Sequence, residues 1–162
     1  MSETTYGFSV DTALPVDDAE AKVIELLKQE GFGVLTEIDV RTTLREKLDV
    51  DFRPYKILGA CNPSLAHRAL QAESGIGLLL PCNVVVEERP AGGSKVSFLD
   101  PKSALGLVGN ADLEPMAVEA AERLRRVAAR LAAVASPQVG VGGPESDRQS
   151  GTAESRRSGT QW

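Results

Sequence analysis

One histidine, His67, leaves no room for a multi-histidine metal centre within a single chain of 162 residues. The two cysteines, Cys61 and Cys82, form no C-x-x-C pair, so zinc-knuckle and thioredoxin-type motifs are absent. There is no excess of positive charge. Eighteen Lys and Arg stand against 23 Asp and Glu, giving −5, and a nucleic-acid role through phosphate neutralisation has no electrostatic support. Long apolar runs are missing as well. The most apolar uncharged stretch, Ser74 to Val86, is interrupted by Pro81 and Asn83 and falls short of the roughly 20 apolar residues a spanning helix needs. The first residues, Met-Ser-Glu-Thr-Thr, carry no basic region followed by an apolar one. A cytoplasmic protein without membrane association is the expectation, with its thiols reduced.

The familiar catalytic loops are also absent. Gly31-Phe-Gly33 and Gly75-Ile-Gly77 resemble fragments of dinucleotide loops. Each follows a helical pattern and precedes a strand, whereas phosphate binding needs a helix N-terminus after the glycines. No Walker loop and no G-x-S-x-G elbow occurs. No nucleophile, base and orienting group stand together, which ranks a hydrolase or isomerase-like enzyme last among the functional readings.

What is present is ordinary globular patterning. Alternation over Tyr6 to Val10 predicts a strand. Asp17 and Glu20 have capping-box spacing, and Ala19, Val23, Leu26 and Leu27 form a helical stripe closed by Gly31, which predicts a helix over Val16 to Glu30. Phe32 to Val40 reads as a strand. Thr43 and Glu46 suggest a second capping box and a short helix with Leu44 and Leu48 inward. A short strand, Tyr55 to Ala60, precedes Asn62 as N-cap and Pro63 as first helical residue of a helix reaching about Ala72. Ile76 to Val86 reads as one buried strand bent at Pro81. Arg89 to Ser94 is a turn, Lys95 to Leu99 its hairpin partner, and Asp100-Pro101 a turn that ends it. A last helix is expected from about Asp112 to Ala135, with Ala117, Ala120, Leu124, Val127 and Leu131 inward and Arg123, Arg125, Arg126 and Arg130 on a solvated face.

The element order predicts a compact two-layer α+β domain over residues 1–135, with a mixed sheet of about five strands packed by helices. From Ser136 onward Ser, Gly, Pro, Gln, Arg and Glu dominate, and residues 136–162 are expected to be a disordered tail.

Chemistry concentrates on Ala60-Cys61-Asn62-Pro63 and Pro81-Cys82-Asn83-Val84. A crossover from the strand ending at Ala60 to the one starting at Ile76 would make them parallel neighbours, with both cysteines toward the ligand-binding end of the sheet. Helix N-terminal N–H groups beside Cys61 are expected to lower its pKa below about 8.5. Burial is expected to raise that of Cys82. The plainer reading of both cysteines as small buried hydrophobes outweighs a functional one. His67 reads as a surface residue of the helix after Cys61, since no orienting carboxylate neighbours it.

Two stretches, Tyr55-Lys-Ile-Leu-Gly-Ala-Cys-Asn-Pro-Ser-Leu-Ala66 and Gly77-Leu-Leu-Leu-Pro-Cys-Asn-Val-Val-Val86, resemble the signature segments of the bacterial and archaeal DUF302 family. The resemblance extends from about Tyr6 to Leu131. It implies a compact α+β fold and a homodimer, and it brings no activity, substrate or cofactor. The expected function is that of a small homodimer binding a small molecule or a protein partner. The alternative is a thiol protein that handles a soft metal such as Cu(I), or a sulfur or redox species, through Cys61 and Cys82, with Asn62, Asn83 and His67 as neighbouring candidates.

Overall fold

A computed structural model describes residues 1–134. The tail assigned to residues 136–162 lies outside the described residues. The chain runs β1 (Ser2–Glu3), β2 (Gly7–Thr12), α1 (Val16–Gln29), β3 (Gly33–Asp39), α2 (Val40–Leu48), β4 (Tyr55–Cys61), α3 (Pro63–Ala72), a 3-10 turn (Ser74–Leu79), β5 (Cys82–Glu88), β6 (Ser94–Leu99), α4 (Pro101–Gly106), a 3-10 turn (Ala111–Leu113) and α5 (Glu114–Ala132). The α+β class stands. The sheet has six strands in the order β1-β2-β6-β5-β4-β3. Every pairing is antiparallel. The expectation of a mixed sheet is therefore corrected, and the extra strand is the two-residue edge β1.

The correction has one source, the apolar stretch after α3. Ile76 to Val86 is not a single strand. Its glycine-containing first half, Ser74–Leu79, coils as a 3-10 turn, the chain breaks at Pro81, and only Cys82–Glu88 pairs. The Leu80–Pro81 peptide bond is cis. With the turn added to α3, the connection reverses direction and returns to the end of the sheet it left. β4 and β5 thus pair antiparallel, Ala60 opposite Cys82 and Tyr55 opposite Glu87.

Other boundaries follow local chemistry. Pro15 is the N-cap of α1, and no side chain caps it. The expected Asp17–Glu20 capping box does not form, because both carboxylates turn to Lys56. At the other end Gly31 takes φ +82, and the N–H of Phe32 donates to the carbonyl of Leu27, as in a Schellman close. Asp39, not Thr43, caps α2, accepting from the Thr42 N–H at 3.0 Å, so α2 begins at Val40. Asn62 caps α3 with Pro63 at the first helical position, as the sequence predicts. Asp100 likewise caps α4, where a turn was expected. The expected start of the last helix at Asp112 falls on a 3-10 turn, and α5 proper begins at Glu114.

One core fills the space between the helices and one face of the sheet. Phe8, Val10, Leu58, Val84, Val86, Val96 and Phe98 point into it from the strands. Val23 and Leu27 of α1 and Leu124, Val127 and Leu131 of α5 close it from above. Helix α2 supplies no buried residue. The α5 arginines bind carboxylates rather than standing free: Arg126 pairs with Glu30 and Arg123 with Glu119. Among the described residues no helix is long and apolar enough to cross a membrane.

Candidate functional site

Antiparallel pairing of β4 with β5 puts the last residue of one beside the first residue of the other. Cys61 ends β4 and Cys82 opens β5, one ladder step off the Ala60–Cys82 pair. The two cysteines are neighbours, as expected, but through a reversal rather than a crossover. Both are free thiols of intermediate exposure. Both line one small pocket between the sheet, α3, α4 and α5, with Phe32, Leu65, Leu105 and Met116 among the other walls. Its volume is about 40 Å³.

Electrostatics in the pocket follow from its apolar walls. Burial raises the Cys61 pKa. This corrects the expectation of a lowered value. The α3 N-terminus offers Cys61 little. Pro63 has no N–H to give, and the Leu65 N–H already donates to the Asn62 side chain at 3.2 Å. Cys82 is pushed up to about 11, mainly by burial and further by the negative charge Cys61 would carry.

The remaining candidates separate. Asn62 is buried, lines the pocket and spends its carbonyl oxygen on the helix cap. Asn83 is exposed and belongs to the opposite face of the sheet, where it lines a shallow 320 Å³ concavity with Tyr6, Tyr55, Val85, Lys95 and Ser97. His67 is exposed on α3 and does not line the thiol pocket. Among the described residues no three His, Cys, Asp or Glu side chains are grouped to hold a metal.

Two features escape sequence reasoning. Met116 lies on the buried stripe of α5, where it reads as one more apolar residue; only its sulfur distinguishes it. Lys56 sits on the inward face of β4 with Leu58 and Ala60, an alternation that does flag a lysine in the core layer. It binds Glu20, Asp17 and Glu37. Glu20 is 7% exposed, and its Oε1 has no hydrogen-bond partner among the described residues. Burial raises the Glu20 pKa against the pull of Lys56, while the carboxylates around Lys56 outweigh its own burial and raise its pKa.

The sequence matches the family described as "Domain of unknown function DUF302" over residues 8–131. A crystal structure of an uncharacterised conserved DUF302 protein from Bacillus stearothermophilus is similar, with TM-score 0.73 and 32% identity over 79% of this chain and 99% of that one. No curated protein matches the chain.

Proposed function

The chain belongs to the DUF302 family, and we propose that it binds a thiophilic metal ion at the pocket lined by Cys61 and Cys82. The observation that carries this reading is one of size and lining. Pockets for organic ligands hold roughly 300–1,000 Å³, and even an engineered benzene cavity has about 150 Å³. This one has about 40 Å³, enough for a single ion or one or two water molecules. Its walls are apolar apart from Asn62 and the two thiols. Soft thiolates suit soft ions, and the raised thiol pKa values mean that an ion must displace the protons on binding. Native mass spectrometry after anaerobic exposure to Cu(I) tests the reading. One copper per chain is expected, lost in Cys61→Ser and in Cys82→Ser. A wild-type chain that retains no copper would refute it.

A second copy of the chain is proposed as the partner, seated on the sheet face away from the core. That face displays Tyr6, which is 68% exposed, beside partly buried Ile57, Val85 and Leu99. A stable dimer covers about 800 Å² per partner. The expected sedimentation mass at micromolar concentration is that of two chains, falling to one in Val85→Arg. A wild-type mass of one chain would sink the proposal.

A further inference from the structure

The chain has two methionines, and one of them, Met116, lines the same pocket as both cysteines. The three sulfur side chains come from three separate elements, Cys61 from β4, Cys82 from β5 and Met116 from α5. Met116 is only 5% exposed, so its thioether is held in the protein interior by packing. Among the described residues no carboxylate, imidazole or amine joins them in the lining. The one other polar side chain, Asn62, has its carbonyl oxygen committed to the Leu65 N–H. A hard cation such as Mg(II) or Ca(II) finds no oxygen set here. Zn(II), which takes four ligands in structural sites, finds no fourth protein donor among the described residues.

We infer that Met116 is a third ligand, so that Cys61, Cys82 and Met116 form a three-sulfur site selective for Cu(I). The inference rests on the thiol-pocket reading above and adds the ligand that sets its selectivity. Thiolate and thioether together are the donor set that favours Cu(I). The exchange balances as Cu⁺ plus two thiols giving one copper dithiolate of charge −1 and two protons. The neutral thioether adds a donor without adding charge, which matters in a lining this apolar.

The test titrates the full chain with Cu(I) under anaerobic conditions against a competing Cu(I) chelator, and counts sulfur neighbours by copper X-ray absorption. The variant is Met116→Leu, a volume-conserving change that cores accept, with its thermal midpoint measured alongside. Three sulfur neighbours are expected in wild type and two in Met116→Leu. Affinity should drop by more than the roughly 10–100-fold that losing an outer-shell partner costs. An excess of Zn(II) should not displace copper from wild type. Unchanged affinity and sulfur count in Met116→Leu, with copper still lost in Cys61→Ser, would overturn the methionine ligand and leave the thiol pair standing. No copper on wild type would overturn both.

Discussion

At the scale of single residues, pH acts on stability through the buried thiol of Cys82. Burial pushes the Cys82 thiol up to about 11 in the folded chain, from 9.0 for an exposed thiol. Between those values the folded chain holds the proton that the unfolded chain has released. Stability is therefore complete below about pH 9 and declines as pH rises toward 11. That rise sets an upper limit of about 2–3 kcal/mol on the effect. Denaturant unfolding at pH 8 and pH 10.5 should show this decline, and Cys82→Ser should reduce it. Because thiolate is the nucleophile, both cysteines should alkylate slowly at neutral pH, Cys82 more slowly than Cys61. Rapid labelling of Cys61 at pH 7 would show that α3 activates it after all. Lys56 sets up a different test. Replacing it with Met leaves the buried Glu20 carboxylate without its cation. The expected cost is about 1–3 kcal/mol, the usual penalty for an orphaned buried polar group. Adding Glu20→Leu should recover much of it in a double-mutant cycle.

At the scale of elements, legibility followed the range of the interaction. Asn62-Pro63 announced α3 because capping and proline geometry act within four residues. The α5 stripe from Ala117 to Leu131 was readable because a helix face repeats in sequence. Ile76 to Val86 was not, since apolar residues suit a buried strand and a buried turn alike, and periodicity cannot separate them. Reading that stretch as one strand reverses the direction of β5, although Cys82 still falls beside Cys61 at the same end of the sheet. Met116 was hidden for a related reason, as a core position looks the same whether its atoms pack or coordinate. The β4–β5 junction can be probed through Gly59. A Cβ there would lie 2.8 Å from Cγ of Pro81 and would collide with Oγ1 of Thr36. The threonine can rotate, but the proline ring is held where the turn enters β5. Gly59→Ala should cost about 1–3 kcal/mol by overpacking. A chemical denaturation midpoint equal to wild type would show that the junction yields.

At the scale of the whole molecule, the sheet order carries a consequence for time rather than for structure. Strands β3, β4, β5 and β6 are neighbours in space in the order in which they occur in the chain. β2 is the exception. It joins the far side of β6, Phe8 opposite Phe98, with nearly the whole domain between the two partners in sequence. Loop-closure entropy makes that contact the last to be favourable. The meander β3 to β6 should then form the folding nucleus, with the N-terminal strand docking after the barrier. Phe8 stacks on Phe98 at 5.3 Å between ring centroids, so its loss is large enough to follow kinetically. Phe8→Ala should speed unfolding and leave the folding rate nearly unchanged, while Val84→Ala in β5 should slow folding. A chevron in which Phe8→Ala slows folding as much as Val84→Ala does would place the N-terminal strand in the nucleus. With the expected result, the N-terminal strand is the first part of the sheet to let go. Brief openings of the native protein would then begin with β2 leaving β6, and the β4–β5 junction that holds the two thiols would remain closed through them.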